Sequence, residues 1–281
     1  MARDRDGRPK QRKATPRAAG KAKDKGAGGA HPGGCSSPLA DDEELLYGIH
    51  TARETLNNPA RRILRAFATK NALARLKEDF RTAGITPQIV LPKDLNRRLG
   101  EDTVHQGVLL FAEPLPEATL ADVAAEGGPL LLLDQITDPH NIGAILRSAA
   151  AFCVSGVIIT RRHAPAANTG VLAKAASGAL EHVPLVRVTN LARAMEELRS
   201  AHGYTLWGLD SDGEAVLDCA TDVPARIALV LGAEGKGLRL KVRETCDAIL
   251  RLDMPGAIRS LNVSNAAAIA LFALHQGRRK S

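Results

Sequence analysis

The sequence predicts an α/β protein in which a mostly parallel sheet is covered by helices on both faces. The chain has 281 residues, 44% of them hydrophobic, which is enough for one large domain or two ordinary ones. From Pro129 onward, short apolar runs alternate with segments of helical periodicity, as is typical of a parallel sheet. The net charge of +7 is concentrated in the first 40 residues, which hold ten Lys or Arg and three Asp or Glu.

The basic N-terminal segment, residues 1–44, is predicted to be a disordered tail. It is rich in Lys, Arg, Gly, Ala and Pro, and it has too few large apolar side chains to offset the entropy of ordering. Two roles remain open: an electrostatic tether to nucleic acid, or a segment that increases solubility. Beyond residue 40 the chain has 28 residues of each charge sign, which argues against a protein that is basic throughout.

Residues 45–113 are predicted to form a small α/β domain. Its helices are predicted at 48–57 and 70–83, and its strands at 86–91 and 108–112. Residues 114–128 contain two prolines and end in two glycines. This composition predicts a linker to the next domain.

Residues 129–281 are predicted to form the larger domain, which contains the parallel sheet. The strand candidates share a short apolar run, and they are 130–134, 157–160, 185–188, 205–209, 227–232 and 249–253. The helix candidates share helical periodicity, and they are 142–152, 169–176, 191–201, 237–243 and 262–276. Ligands of such sheets bind beyond the carboxyl ends of the strands, so we expect the functional residues in the loops there.

Composition argues against several functional classes. Aromatic residues make up only 3% of the chain, too few for an RNA-binding sheet covered with stacking rings. No apolar run approaches the roughly 20 residues of a membrane span, and the charged N-terminus lacks the apolar segment of a secretory signal. The four cysteines lie far apart without a CxxC pair, so neither a disulfide framework nor a zinc ribbon is expected. We therefore expect a cytoplasmic protein.

The loop after residues 130–134 is the first of three unusual loops. The strand ends at Asp134, and a helix is predicted to begin near Asn141, a residue type that is common at helix N-caps. Arg147 lies about one and a half turns into a helix otherwise made of Ile, Leu and Ala. A buried cation there would need a partner, so a structural salt bridge and a functional arginine are both open.

The second unusual loop, residues 231–238, is rich in glycine. Glycine allows a backbone to approach a ligand closely. The spacing matches neither a Walker phosphate-binding loop nor the dinucleotide pattern GxGxxG, and the carboxylate of Glu234 would repel a phosphate. The loop therefore favours a cationic or neutral ligand, with a simple turn as the alternative.

The third unusual loop precedes the apolar helix predicted at 262–276. Ser260, Asn262, Ser264 and Asn265 place four neutral polar groups within six residues, more than one helix cap requires. Such an array can orient a hydroxyl group or a ligand amide. No histidine lies in a comparable motif, so a Ser–His–Asp mechanism is not expected.

Together the three loops resemble the motifs of the SpoU (TrmH) family of RNA ribose 2′-O-methyltransferases, within the SPOUT superfamily. The matching segments occur in the family's order and are NIGAILR at 141–147, LGAEG at 231–235 and SLNVS at 260–264. Upstream, YGIH at 47–50 and VHQGV at 104–108 resemble the family's N-terminal substrate-binding domain, whose fold is similar to ribosomal protein L30e. The resemblance covers about residues 45–277 and leaves the tail outside.

The resemblance implies a C-terminal SPOUT domain, residues 129–281, with a deep trefoil knot formed by about residues 227–265. Knots are nearly absent from proteins, so nothing in the periodicity predicts one. The implied cofactor is S-adenosylmethionine, held by Gly232, Leu252 and Leu261 chiefly through backbone atoms. The implied assembly is a homodimer with the knot region at its interface, and no metal is implied.

The reaction implied by the resemblance is methylation of a ribose 2′-hydroxyl in RNA. Arg147 would activate or orient the hydroxyl, and the residues that would orient Arg147 and the substrate are Asn141, Glu234, Ser260 and Asn262. An arginine side chain normally stays protonated, so holding the RNA backbone is an alternative role. The closest subgroup methylates a guanosine of 23S rRNA, and the alternatives are a tRNA 2′-O-methyltransferase and a non-catalytic RNA-binding member.

Overall fold

The computed structural model describes residues 43–163, 170–218, 222–257 and 260–279. The predicted tail, apart from its last two residues, therefore lies outside the described residues. The described chain contains two sheets, which belong to one compact unit.

The first sheet has four strands in the order β1-β4-β2-β3. The strands are β1 (Glu44–Tyr47), β2 (Ile63–Ala68), β3 (Gln88–Ile89) and β4 (Val108–Ala112), and the helices are α1 (Ile49–Asn57), α2 (Lys70–Arg75), α3 (Lys77–Thr82) and α4 (Pro92–Leu99). β4 is antiparallel to both neighbours, whereas β3 is parallel to β2. All of β4 is buried because helices cover both faces: Val108 and Leu110 face α1 to α3, and Leu109 and Phe111 face α4.

Several details of this region differ from the prediction. The single helix predicted at 70–83 is two helices, because the backbone leaves helical geometry at Leu76 (φ −113°, ψ 17°). The strand predicted at 86–91 is only two residues long, since Pro92 starts a helix shortly after it. The prediction also omits β1, β2 and α4, although a proline in the first helical turn is a recognisable start for α4.

The second sheet has seven strands, all parallel, in the order β7-β6-β5-β10-β8-β11-β9. Its strands are β5 (Leu130–Asp134), β6 (Gly156–Thr160), β7 (Leu185–Val188), β8 (Thr205–Leu209), β9 (Ala215–Val216), β10 (Ile227–Gly232) and β11 (Ala248–Arg251). Its helices are α5 (Leu120–Ala125), α6 (Pro139–Ala151), α7 (Val171–Ala176), α8 (Leu191–His202), α9 (Leu240–Thr245) and α10 (Val263–Arg278). The predicted α/β class with a mostly parallel sheet is confirmed.

Helices cover both faces of the second sheet, as predicted. On one face α6, α7 and α10 pack against Leu131 and Leu133, and on the other α5, α8 and α9 pack in the cluster that contains Leu130 and Leu132. All of β5 and nearly all of β10 are buried as a result. Burial on both faces explains why these two strands are continuous apolar runs.

Local details of the larger domain also differ from the prediction. Helix α5 lies inside the predicted linker 114–128, where a capping box starts it. Helix α6 begins at Pro139 with Asp138 as its N-cap, so Asn141 is not the cap. An aspartate followed by proline is the stronger start signal, because proline is favoured at the first helical position. In addition, α9 begins three residues later than predicted, and β11 ends two residues earlier.

The order of the strands brings the functional loops together. The chain moves outward from β5 through β6 to β7, and it later returns to place β10 beside β5, with β8 and β11 beyond. Asp134 and Gly232, the last residues of β5 and β10, are partners in the parallel register. The loops after β5, β8, β10 and β11 therefore start at one edge of the sheet, where ligands of open parallel sheets bind.

A buried ion pair joins the two sheets. Arg61, whose side chain is 2% exposed, contacts Glu181 (Nη2 to Oε1, 2.9 Å) and Glu44 (Nη1 to Oε2, 2.7 Å). Glu181 follows α7 and also accepts hydrogen bonds from Thr55 of α1 and from Asn58, the residue after α1. The carboxylate and the guanidinium therefore each have several partners, as buried charges require.

Candidate active site

A cavity of about 310 Å³ lies at the carboxyl edge of the second sheet. Its walls come from the segments after β8, β10 and β11 and from the start of α10. Its lining includes Gly232, Leu252 and Leu261, the three residues predicted to bind a cofactor, together with Glu234 and Ser260. The structure therefore brings five of the eight predicted site residues to one cavity.

The glycine-rich loop after β10 is a tight turn. The N–H of Gly237 donates to the carbonyl of Ala233 (2.9 Å), and Gly237 adopts a φ of +60°. A methyl group at Gly232 would lie 2.3 Å from the carbonyl carbon of Gly237, so no side chain fits there. The backbone at Gly232 thus packs directly against the backbone at Gly237, beside the cavity. Without side chains in between, a ligand in the cavity can come close enough to contact main-chain atoms of the loop.

Hydrogen bonds join one residue from each of the three predicted motifs. The side-chain amide of Asn262 donates to Asn141 Oδ1 (3.0 Å) and to Glu234 Oε1 (2.7 Å). Glu234 Oε1 also accepts from the backbone N–H of Val263 (3.1 Å), the first residue of α10. A carboxylate is stabilised at this end of a helix by the helix dipole. The amide of Asn262 thus holds the loop after β10 and the start of α6 against the start of α10.

The polar groups at 260–265 divide between helix capping and the cavity. Asn262 is the N-cap of α10, and its Oδ1 accepts hydrogen bonds from the backbone N–H (2.9 Å) and the hydroxyl (2.5 Å) of Ser264. Ser260 is exposed and lines the cavity, and Asn265 is exposed on the first turn of α10. Capping therefore accounts for two of the four groups, and Ser260 is placed to contact a ligand.

Arg147 lies six residues after Asn141 on α6, a rise of about 9 Å along the helix axis. It is exposed, and in the part of the chain that the structure describes it forms no hydrogen bond or ion pair. Arg147 therefore has no direct hydrogen bond to any of the four residues predicted to orient it and the substrate, and that orienting role stays a prediction. Among the described residues, no carboxylate pairs with Arg147, so the structural salt bridge considered from the sequence is not formed there.

The glycine of the NIGAILR segment has a packing role. A Cβ added at Gly143 would lie 2.4 to 2.8 Å from atoms of Ala175 and Ala176 in and beside the last turn of α7. Only glycine therefore lets α6 and α7 approach this closely. Three other residues of the segment are buried in the core: Ile142, Ile145 and Leu146.

The two N-terminal segments that resemble a substrate-binding domain contact each other. The side-chain oxygen of Gln106 accepts hydrogen bonds from the backbone N–H of Ile49 (2.9 Å) and from Lys174 Nζ (3.1 Å). Gln106 thereby caps α1, because Gly48 at its N-cap has no side chain to do so. Burial, and secondarily the charge of Lys174, lower the pKa of His105, which favours its neutral form.

Two aspartates at the same sheet edge are missing from the predicted site. Asp134, fully buried at the end of β5, accepts hydrogen bonds from the backbone (2.9 Å) and the side chain (2.7 Å) of Arg239. Asp210, which directly follows β8, lines the cavity and pairs with Arg243 (3.2 Å). Each is an acidic residue at the end of an apolar strand. This pattern can be seen in the sequence, but by itself it does not indicate what the residue does.

Within residues 43–163, 170–218, 222–257 and 260–279, no group of three or more His, Cys, Asp or Glu side chains is arranged to hold a metal ion. No helix in these same segments is long and apolar enough to cross a membrane.

Two family models match the chain. The SpoU rRNA methylase family matches residues 129–272. A family described as RNA 2′-O ribose methyltransferase substrate binding matches residues 45–118. The first match contains the whole seven-stranded sheet, and the second contains nearly all of the four-stranded sheet.

Similar proteins match over most of the chain. A 23S rRNA (guanosine-2′-O-)-methyltransferase RlmB from Pasteurella multocida is 40% identical over 245 residues, which cover 84% of this chain and 98% of that protein. A protein of the same name from Ralstonia nicotianae is 41% identical over 239 residues, 82% of this chain and 94% of that one. Among solved structures, the fold is similar to that of the SpoU methyltransferase AviRb from Streptomyces viridochromogenes, crystallised in complex with AdoMet, with a TM-score of 0.71. The two sequences are 26% identical, and the match covers 85% of this chain and 92% of that chain. The chain therefore belongs to the SpoU rRNA methylase family.

Proposed function

We propose that this protein transfers the methyl group of S-adenosylmethionine to the ribose 2′-hydroxyl of a guanosine in 23S rRNA. The observation that carries the proposal is the hydrogen-bonded cluster of Asn141, Glu234 and Asn262, because it joins the three family motifs beside one cavity. Two relatives at 40% and 41% identity, named as 23S rRNA guanosine-2′-O-methyltransferases, support the substrate. The AdoMet complex of AviRb supports the cofactor.

The cavity suits S-adenosylmethionine in size and in charge. Its volume of about 310 Å³ falls within the range of small-ligand pockets, about 300 to 1,000 Å³. Leu252 and Leu261 offer apolar contacts for an adenine ring, and the close backbone turn at Gly232 suits recognition by main-chain atoms. Asp210 and Asp212 also line the cavity, and their negative charge favours a ligand with sulfonium and ammonium groups. We assign cofactor binding to Gly232, Leu252 and Leu261.

When bound, S-adenosylmethionine supplies an electrophilic methyl group together with its own leaving group. The ribose hydroxyl is a poor nucleophile, so it must be oriented, and it loses its proton during the reaction. Arg147 is exposed, and its guanidinium can donate hydrogen bonds to the ribose oxygen or to a neighbouring phosphate. Its side chain stays protonated, which favours an orienting role over that of a base.

The other catalytic assignments follow from the polar cluster. Asn262 would keep Asn141 and Glu234 in place through its side-chain amide. Ser260, exposed at the cavity wall, would contact the bound ligand. Positioning of this kind can supply much of the rate enhancement of a transfer between two bound substrates.

The domain assignments complete the proposal. Residues 45–113 would form the L30e-like RNA-binding domain, 114–128 a linker that includes α5, and 129–281 the SPOUT domain with its trefoil knot in 227–265. The limits of the two family matches support this division. The basic residues 1–44 would add a non-specific attraction to RNA. A protein that modifies bacterial ribosomal RNA would act in the cytoplasm.

We also propose a homodimer with α10 at its interface. On α10, Ile269 is 46% exposed and Phe272 is 48% exposed. The ring of Phe152, directly after α6, packs edge-to-face against Phe272 with ring centroids 6.5 Å apart, so the apolar surface continues beyond α10. Exposed apolar surface of this kind often marks a protein interface. A stable monomer in sedimentation experiments at micromolar concentration would contradict the dimer.

The function is tested by a methyl-transfer assay with labelled S-adenosylmethionine and separate pools of unmodified 23S rRNA and tRNA. Labelled 2′-O-methylguanosine is expected in the rRNA pool alone. Label in tRNA would keep the reaction and overturn the substrate. Failure both to transfer a methyl group and to bind S-adenosylmethionine would overturn the proposal and favour a non-catalytic RNA-binding protein.

The role of Arg147 is tested in the same assay. Arg147→Ala is expected to lower kcat by at least about 100-fold, because groups that assist proton transfer or orient the nucleophile contribute on this scale. The dissociation constant of S-adenosylmethionine should stay unchanged. Arg193→Ala, at an exposed arginine of α8, is the matched control and should retain normal turnover. Near-normal kcat in Arg147→Ala would remove Arg147 from the mechanism.

A further inference from the structure

A buried carboxylate is bound to the residue that ends the glycine-rich loop. Asp134 is 0% exposed, and both of its carboxylate oxygens contact Arg239. Oδ2 accepts a hydrogen bond from the backbone N–H (2.9 Å), and Oδ1 accepts one from Nε (2.7 Å) and lies 2.7 Å from Nη2. One carboxylate therefore fixes both the backbone and the guanidinium of Arg239, and charge-assisted contacts of this kind are geometrically restrictive.

The two residues of this pair flank two segments of the candidate site. Arg239 directly follows loop 232–238, which lines the cavity, and it is the N-cap residue of α9. Asp134 is the last residue of β5, and the next residue, Gln135, adopts a φ of +59°, a left-handed conformation that is uncommon outside glycine. The chain then runs through Asp138 into the helix that carries Asn141 and Arg147. The pair therefore ties the end of the glycine-rich loop to the end of β5, from which the chain runs into the first motif.

The rest of the loop is held at two further points. Asp210 Oδ2 accepts a hydrogen bond from the N–H of Leu238 (3.5 Å) and lies 3.2 Å from Nη1 of Arg243. Glu234, near the tip of the loop, accepts the hydrogen bonds from Asn262 and from the first N–H of α10. The loop is thus attached to α10 at its tip and to two aspartates at its base.

We propose that Asp134 and Arg239 are positioning residues for S-adenosylmethionine: they set the shape of loop 232–238, and the loop contacts the cofactor. The inference rests on the proposed function and its cofactor pocket. Neither residue is among those that line the described cavity, so their effect passes through the loop backbone. The pair is only half buried, since the Arg239 side chain is 43% exposed and Asp134 is 0% exposed. Burying a charge makes an ion pair an unreliable source of net stability, so conformational specificity is the better explanation for this carboxylate.

The test measures S-adenosylmethionine binding to the full-length protein by isothermal titration calorimetry. Arg239→Met removes the guanidinium and is expected to raise the dissociation constant at least about tenfold, equivalent to about 1.4 kcal/mol. Arg239→Lys keeps the charge but lacks the planar fork, so a smaller increase is expected. The matched control is Arg199→Met, because Arg199 is similarly exposed (42% against 43% for Arg239) and pairs with Asp247 (3.0 Å). Its affinity should stay within about twofold of wild type.

A purely structural role predicts a different result. In that case Arg239→Met would lower the melting temperature and leave the dissociation constant unchanged, which would overturn the inference. If Arg239→Met does not fold, Arg239→Lys and Asp134→Asn replace it, and wild-type affinity in a folded variant of either kind also overturns the inference. A wild-type protein that does not bind S-adenosylmethionine refutes the proposed function instead. Normal wild-type binding with unaffected variants refutes only the positioning role.

Discussion

Removal of Arg61, the buried arginine that pairs with Glu44 and Glu181, should destabilise the protein far more than removal of its exposed neighbour, Arg62. Arg61 donates to Glu44 Oε2 (2.7 Å), to the carbonyl of Glu113 (2.9 Å) and to both carboxylate oxygens of Glu181 (2.9 and 3.2 Å). Arg61→Met deletes all four contacts. Glu181, whose side chain is only 2% exposed, is then left as a buried charge without its cation.

The loss of stability in Arg61→Met depends on the hydrogen bonds that Glu181 keeps. Breaking a buried ion pair by removing one partner costs about 3 to 5 kcal/mol. Thr55 and Asn58 still donate to Glu181, so we expect the lower value, about 3 kcal/mol. For a chain of this size the melting temperature should fall by about 6 to 12 °C. Arg62→Met breaks an exposed pair with Glu113 and should cost at most about 1 kcal/mol, which makes it the matched control.

Thermal unfolding followed by far-ultraviolet circular dichroism and by tryptophan fluorescence measures this effect. Trp207, the single tryptophan, is buried on β8, so fluorescence reports on the second sheet and circular dichroism on both. In Arg61→Met both signals should shift to lower temperature together, because the two sheets belong to one compact unit. The double variant Arg61→Met/Glu181→Leu should recover at least half of the loss, since the unpaired charge that remains, Glu44, is 20% exposed whereas Glu181 is 2% exposed. Melting of Arg61→Met within about 2 °C of Arg62→Met would refute the reasoning.

The glycine-rich loop, the polar cluster and the half-buried Cys246 give three more tests. Gly232→Ala should abolish S-adenosylmethionine binding in calorimetry, because the new methyl would lie 2.3 Å from a backbone carbon, whereas Gly256→Ala, with nothing within 4 Å, should bind normally. Asn262→Ala should lower the free energy of unfolding by about 1 kcal/mol through loss of the α10 cap, and it should also lower kcat. Equal kcat values for Asn262→Ala and Asn265→Ala, a substitution at an exposed neighbour, would contradict the catalytic role. Burial raises the pKa of the Cys246 thiol to about 12, so at pH 8 mass spectrometry should find it alkylated by iodoacetamide only after unfolding, and rapid alkylation of the folded protein would contradict this.

The strands of the second sheet could be predicted from the sequence because each is marked by a short apolar run within the strand itself. The strands β5 and β10 are apolar along nearly their whole length, since both of their faces are covered. In the first sheet only β4 has such a run, and it was predicted. By contrast, β1 has four residues, and β2 begins with residues that are partly or fully exposed. Helix α5 was concealed by the prolines and glycines on either side of it, although its capping box is a local signal.

The members of the candidate site follow from the family motifs, but their geometry does not follow from the sequence. Asn141 and Asn262 are 121 residues apart, and no local pattern states that their side chains meet. The preference of asparagine for helix N-caps led to the wrong prediction that α6 begins at Asn141. Aspartate is equally favoured at N-caps, and the proline after Asp138 places the helix start there. Asp134 is recognisable only as a strand end until its partner Arg239, 105 residues later, is seen against it.

The geometry of the polar cluster depends on apolar packing as well as on the loops. Helices α6 and α10 pack on the same face of the second sheet and against each other. Asn141 lies in the first turn of α6 and Asn262 caps α10, so the 3.0 Å hydrogen bond between them depends on how the two helices pack. The buried residues of these helices include Ala149, Ala267 and Ala270, whose small side chains allow close approach. Because protein cores are densely packed and resist small volume changes, this contact fixes the distance between the two helix starts. The site therefore combines polar groups at the surface, to which the proposed function assigns contacts with RNA and cofactor, with a rigid apolar base that determines where those groups lie.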